Sequence, residues 1–381
     1  MQSKLSYYFL LFLCITFTAP ANAGDRKTCN SDAPGENIYK HYTGTIGGKN
    51  VVLDLRYGFC GASNYGGSYL YFTEGNETKC LAIYEPKSFA HTAELHAEER
   101  TVNYRWGNPE EVVFPSWTFV IKDNRLTGKW TSADKKTTAE IDLVEDYSKA
   151  TRLDMISYRD SATTMQPGRP MRTAYFYYLG VKPTANATKA AAYLINGEIL
   201  KLTETDQQRV TDMQIMPARI AQQRFGEFTT AYGLMPEDTS RAEWHRRDFS
   251  YSALLFPVYN DNGLLSLELV NTGKKPSRYV CISLGTNKSL KLADIVTTNN
   301  GILKALIIKE YKNTADTETL KAFPVSNIEV PENFMFTGKG IIFCYPYDTG
   351  KGYTAEARVF LSFKQLGTTM KKEFRMLMGS N

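Results

Sequence analysis

The chain predicts an α+β protein: an all-β meander, barrel or sandwich, followed by a module in which helices pack on a mostly antiparallel sheet. Three observations predict it. Residues 39–147 consist of short alternating runs separated by turn residues, with almost nothing at helical spacing. Beyond residue 186 the apolar positions recur with a helical period, and after residue 253 they alternate again. The 381 residues are 43% hydrophobic and 13% aromatic, enough length and apolar content to give two domains a packed core.

Residues 1–23 read as an export signal. They carry one cation at Lys4, an apolar run over 7–17, and Ala21-Asn22-Ala23, small residues where a signal peptidase needs them. Cys14 follows Phe12 and Leu13, which are too large for a lipoprotein signal, so soluble export to a periplasmic or secreted location is expected. No later stretch approaches the roughly 18 to 20 apolar residues of a membrane-spanning helix, so no membrane insertion is expected after cleavage. Residues 24–38 form a polar leader. Forty-five lysines and arginines against 40 acids leave a net charge of +5, which defines no polyanion-binding surface. Nucleic acid is therefore not an expected partner.

Eight strands are predicted in the first module: 39–46, 51–57, 67–72, 79–84, 89–95, 116–122, 125–131 and 137–144. Val51, Leu53, Leu55 and Tyr57 alternate with Asp54 and Arg56, the pattern of a strand with one wet face. Eight strands with short links can close on themselves and so remove their exposed edges. Gly67-Ser68-Tyr69-Leu70-Tyr71 and Gly128-Lys129-Trp130 each place a glycine two residues before an aromatic, leaving room for a ring to lean over it. Tyr69, Tyr71, Trp117 and Trp130 are read as core or outer-face packing, with a ligand cavity inside the barrel as the alternative. Together with Tyr42-Thr43-Gly44-Thr45-Ile46, these runs resemble the amino-terminal barrel-like segment of some exported bacterial proteins.

Residues 148–185 read as a connecting segment, because Pro167-Gly168-Arg169-Pro170 and Lys182-Pro183 disfavour helix. A second module spans 186–366, with 367–381 as a tail. Its first helix is expected to present Ala187, Ala190, Ala191 and Leu194 and to end near Asn196-Gly197. The second presents Ala221, Phe225, Phe228 and Tyr232. A hairpin follows, 253–259 and 264–270, around Asn260-Asp261-Asn262-Gly263. Then come a strand over 278–284, the run 290–296 with Asp294 as a turn or cap residue, a helix over 302–311, strands over 340–345 and 357–362, and a closing segment 363–366.

Gly340-Ile341-Ile342-Phe343-Cys344-Tyr345-Pro346-Tyr347-Asp348, the strand after it, and Leu292-Ala293-Asp294-Ile295 before a helix resemble the DUF3298 family. This is the extracellular domain of lysozyme-sensing anti-sigma factors, found also beside certain peptidoglycan deacetylase domains. The resemblance covers residues 186–366. A Gly-Gly-Ala-His turn common in that family is replaced here by Asn271-Thr272-Gly273-Lys274-Lys275. The resemblance implies a lysozyme-like protein or a peptidoglycan fragment as partner.

No catalytic residue is assigned, and no cofactor or metal site is expected. Gly44-Thr45-Ile46-Gly47-Gly48-Lys49-Asn50 is too short for a phosphate loop and reads as a hairpin turn. Gly61-Ala62-Ser63-Asn64-Tyr65-Gly66 is one residue too long for a nucleophile elbow. The histidines are His41, His91, His96 and His245; His91 and His96 lie an odd number apart on a strand and face opposite ways. His245 with Asp248 could serve a hydrolase with an unfamiliar site, the second alternative. Cys29, Cys60, Cys80, Cys281 and Cys344 follow the leader without a Cys-x-x-Cys pair. Export makes bridges Cys60–Cys80 and Cys281–Cys344 the expectation, with Cys29 unassigned. The candidate binding residues are Arg246, Arg247, Lys274, Lys275 and Arg278, two cationic clusters near the hairpin, and the loop aromatics Tyr347 and Tyr353. The expected function is recognition of a cell-wall hydrolase or wall glycan without catalysis.

Overall fold

The alternation in residues 39–147 becomes an antiparallel meander: β1 (Asn37–Ile46), β2 (Lys49–Gly58), β3 (Tyr69–Glu74), β4 (Glu77–Tyr84), β5 (Leu95–Arg100), β6 (Ser116–Lys122), β7 (Arg125–Thr131) and β8 (Thr138–Glu145). The computed structural model describes residues 37–58, 69–74, 77–84, 94–100, 114–164, 172–185, 187–203, 213–233, 250–271, 276–297, 301–349 and 354–377. Each strand pairs with the next, and β8 returns to β1, so the sheet closes into a barrel. Gly47 and Gly48, with φ of 55° and 80°, make the two-residue turn between β1 and β2 that sequence reading expected. Tyr42, Leu53, Leu55, Leu95, Ala97, Trp117, Phe119, Leu126 and Leu143 fill the interior. At Gly128, opposite Phe119, a Cβ would meet the Thr118 carbonyl and come within 2.6 Å of the Phe119 Cα, so only glycine lets β6 and β7 approach this closely.

The fifth strand, expected over 89–95, is described at Leu95–Arg100, where Leu95 and Ala97 meet Phe119 and Trp117 in register; residues 89–93 lie outside the described residues. One expectation for this module is corrected. Asp54 and Arg56, expected on a wet face, are 7% and 3% exposed. A second sheet covers that face.

That second sheet has six strands in the order β14-β13-β12-β11-β10-β9. Residues 148–185, read as a connection, supply two of them, β9 (Leu153–Thr164) and β10 (Arg172–Pro183), a long antiparallel pair. Their alternation was masked in sequence by the turn-forming prolines around them. Next come α1 (Lys189–Leu202) and α2 (Met216–Gly233), then β11 (Ser250–Asp261), which runs parallel to β10. A parallel neighbour requires a long crossover, and the two helices provide it. β12 (Leu264–Asn271), β13 (Arg278–Ser283) and β14 (Lys288–Leu290) complete the sheet. The β11–β12 hairpin turns on Asn262-Gly263, both at positive φ. Pro257 sits at the bulge of β11, where a missing backbone N–H is tolerated.

Helix α2 buries Ala221, Phe228 and Tyr232 as its spacing predicts. Helix α1 does not stop at Asn196-Gly197 but runs to Leu202, and it buries Ile195, Ile199 and Leu202 instead of the alanine stripe. The larger aliphatic side chains remove more apolar area from water than alanines, and this outweighs about 1 kcal/mol of helix propensity lost at glycine.

After β14 follow α3 (Leu292–Ile295), α4 (Ile302–Thr314), α5 (Thr317–Ala322), β15 (Phe334–Phe336), β16 (Gly340–Asp348), β17 (Thr354–Ser362), α6 (Phe363–Leu366) and α7 (Lys372–Leu377). Asp294 acts as expected, accepting the Lys291 N–H at 2.9 Å at the start of α3. β15, β16 and β17 form a separate three-stranded sheet. One face packs on α4 through Phe343, Val359, Leu303, Ile307 and Tyr311. The other meets the six-stranded sheet through Met335, Ile342 and Cys344 against Val258 and Tyr279. No described helix is long and apolar enough to cross a membrane.

Candidate functional site

Two buried polar clusters stand where the sheets and the barrel meet. The first grows from the β1–β2 hairpin, whose register places His41 opposite Asp54 and Tyr39 opposite Arg56 on the outer face of the barrel. Asp54 Oδ1 accepts the Tyr39 hydroxyl at 2.7 Å and lies 2.8 Å from His41 Nδ1. Asn260 Nδ2, from β11, donates to the Tyr39 oxygen at 2.7 Å and to the Thr151 carbonyl at 2.8 Å, while its Oδ1 accepts the Thr151 N–H at 2.9 Å. The Tyr39 hydroxyl proton and both Asn260 amide protons thus have acceptors. The Arg56 guanidinium lies over the Phe256 ring at 4.4 Å. Burial disfavours a charged His41, but the charge and hydrogen bond of Asp54, with Asp261 and Asp146 behind it, outweigh burial and raise its pKa above the ordinary 6.5.

The second cluster joins the six-stranded sheet to the three-stranded one. Glu268 and Tyr279 are cross-strand partners on β12 and β13; Glu356 and Arg358 share a face of β17, where Arg358 pairs with Cys344 on β16. Arg358 Nε donates to Glu356 Oε1 at 2.6 Å, and Nη2 donates to Glu268 Oε1 at 2.5 Å and to the Tyr279 oxygen at 3.1 Å. The Tyr279 hydroxyl donates to Glu356 Oε1 at 2.6 Å. Burial pushes up the Tyr279 hydroxyl, the Cys344 thiol and the Glu356 carboxyl; for Glu356 the Arg358 charge offsets this only in part. Glu356 Oε2 is buried without a hydrogen-bond partner. Two carboxylates thus share one guanidinium.

A third polar contact lies inside the barrel. Glu99 on β5 accepts the indole N–H of Trp117 at 3.0 Å and of Trp130 at 2.7 Å. No group of three or more histidine, cysteine or acidic side chains among the described residues is arranged to hold a metal.

The residues singled out by sequence reading are not gathered into one surface by what is described. Arg278 donates from Nη1 to the Leu202 carbonyl at 3.1 Å and so caps the end of α1. Tyr347 stacks on Phe323, with ring centroids 5.7 Å apart, on the α4 side of the small sheet. Arg246, Arg247, Lys274, Lys275 and Tyr353 lie outside the described residues, as do His91, His245, Cys29 and Cys60. His96 is exposed, 3.5 Å from Glu94.

The Cys281–Cys344 bridge does not form: both are buried free thiols. Cys281 is engaged by Ser266 Oγ at 3.2 Å and by the Phe334 carbonyl of β15 at 3.6 Å, whereas Cys344 belongs to the separate cluster with Met335, Ile342, Val258 and Tyr279. Burial raises the pKa of Cys281 to about 12, which keeps it a thiol.

Sequence reading missed both polar clusters. The first carried a signal. Counting back from the Gly47-Gly48 turn sets His41 against Asp54, which marks a cross-strand pair. The second had none, since Glu268 and Arg358 are 90 positions apart.

No protein-family model matches the chain, and no curated protein does. Among solved structures, the crystal structure of a member of the duf3298 family from Bacteroides fragilis is similar to it, with a TM-score of 0.46 and 15% identity over 61% of this chain and 100% of that one.

Proposed function

We propose that this is an exported protein of the cell envelope that works by binding, recognising a cell-wall hydrolase or a wall glycan without making or breaking covalent bonds. The observation that carries the reading is the use made of the chemistry-bearing side chains. His41, Asp54, Tyr39 and Asn260 tie the barrel to the six-stranded sheet, and Glu268, Tyr279, Glu356 and Arg358 tie the two sheets together. Groups spent on holding elements together give a rigid body on which loops can be presented to a partner. The signal-like residues 1–23 support export, and Arg246, Arg247, Lys274, Lys275 and Tyr353 remain the proposed contact residues.

Calorimetry with lysozyme and with soluble peptidoglycan fragments tests this reading. Saturable binding of either, lost when Arg246, Arg247, Lys274 and Lys275 are replaced together by alanine, is the expected result. Heat from neither probe, or turnover of peptidoglycan abolished by a single polar replacement, overturns it.

A further inference from the structure

Where the barrel meets the six-stranded sheet, a titratable pair on the barrel side, His41 and Asp54, is linked to Asn260 of β11 through the Tyr39 hydroxyl. We propose that His41 and Asp54 act as a proton-operated clamp between barrel and sheet, engaged when the imidazole is doubly protonated and slackened when it becomes neutral. The clamp is independent of the binding partner proposed above.

The geometry carries the argument. Asp54 is hydrogen-bonded toward the sheet through its neighbours on β1: it holds the Tyr39 hydroxyl, whose oxygen receives Asn260 of β11, and it holds His41 Nδ1. Asn260 is fully buried and is itself fixed on the Thr151 backbone, so strain in the pair passes directly to β11. The charged groups around the imidazole are mostly acidic. Asp54 comes from β2, Asp261 from β11, and Asp146 from the segment after β8, which also brings the Tyr147 ring to 6.1 Å. Asp146 is held by the Ser148 backbone and hydroxyl and by Thr43 Oγ1 at 3.3 Å. Cations lie farther out: Lys149 acts on Asp261, Arg152 sits over Tyr147 at 4.2 Å, and Arg56 lies over Phe256. A protonated His41 is the positive centre of three carboxylates. Burial raises the pKa of Asp261 and Asp54 adds a smaller push in the same direction, while His41 lowers it, so a neutral His41 removes part of what offsets the two carboxylates.

The sign follows from linkage. A histidine whose folded pKa exceeds 6.5 contributes fully below pH 6.5, and the contribution is lost as pH rises through the folded value. Each unit of that lift corresponds to about a tenfold change in the equilibrium it controls. The experiment follows the His41 ring by NMR in the full chain, together with amide exchange corrected for its intrinsic pH dependence. A midpoint above 6.5 is expected, falling in Asp54→Asn. Protection of β1, β2 and β11 should drop about tenfold per unit of lift through that midpoint, while protection of β16 and β17 stays level. His41→Gln, whose amide can still donate to Asp54, should abolish the pH response with the fold retained, and Tyr39→Phe, which removes the hydroxyl between Asp54 and Asn260, should leave the His41 midpoint above 6.5 but uncouple β11 protection from it. A midpoint at or below 6.5, an unchanged midpoint in Asp54→Asn, or junction protection that is flat through the midpoint overturns the clamp. If Asp54→Asn does not fold, wild type and His41→Gln alone decide the outcome.

Discussion

The two polar junctions solve the same problem with different charge arithmetic. At the barrel–sheet junction one imidazole and one carboxylate form a pair that is neutral overall when His41 is protonated, and an asparagine and a tyrosine carry the remaining protons. At the sheet–sheet junction two carboxylates share one arginine, so the buried cluster keeps a negative charge when both are ionised. The first junction is adjustable because its cation is an imidazole, which can lose its proton. The second is held by a guanidinium that cannot be deprotonated, so only its acids respond to pH.

The sharpest way to break the contrast is to remove that guanidinium. Arg358→Met should leave Glu268 and Glu356 buried without a cation and cost about 3 to 5 kcal/mol at pH 7, measured by urea denaturation. Adding Glu356→Gln to it should restore part of the loss, because one buried charge disappears. A smaller effect is expected at the other junction, where Asn260→Ala removes an uncharged link. Losing its bonds to Tyr39 and Thr151 should cost about 2 kcal/mol in the same measurement.

The pH dependence separates the two junctions more finely. Both Glu356 and His41 have folded pKa values raised above their ordinary 4.5 and 6.5. In each case the folded chain binds more protons than the unfolded one between the ordinary and the raised value, so stability falls as pH rises through that window. The Glu356 window opens above pH 4.5 and the His41 window above 6.5. Melting curves across pH 4 to 9 should show both declines; Glu356→Gln should flatten only the lower one and His41→Gln only the upper. The smallest effect concerns the thiols beside the second junction. Alkylation of the unreduced, denatured chain should label Cys281 and Cys344 completely, as read by mass spectrometry of their peptides.

Much of the fold was legible in the residues. The β1–β2 turn at Gly47-Gly48, the Asn262-Gly263 hairpin, the Asp294 cap and the stripe Ala221, Phe228, Tyr232 are where local chemistry placed them. Local reading failed where a distant partner decided the outcome. Helix α1 ran past Asn196-Gly197 because Ile199 and Leu202 found a sheet to cover, and residues 153–164 and 172–183 became a long antiparallel pair beside β11. The pairing of Cys281 with Cys344 looked reasonable from two β-like segments, but each thiol is engaged by its own neighbours. Of the candidate contact residues, Arg278 and Tyr347 are half-buried and engage a helix end and a ring, which local reading did not foresee.

The sequence by itself determined seven of the eight alternating strands, the change to α+β after them, and which residues share a side of each of those strands, because periodicity of two is a property of the backbone alone. Only the tertiary structure decided that the polar side of β2 would be sealed. Asp54 and Arg56 carry every mark of a solvent face until the sheet arrives, and the side chain that completes their network, Asn260, lies 221 positions from Tyr39. Alternation distinguishes two faces; burial depends on what packs against each, and that contact is made by chain the local pattern never samples.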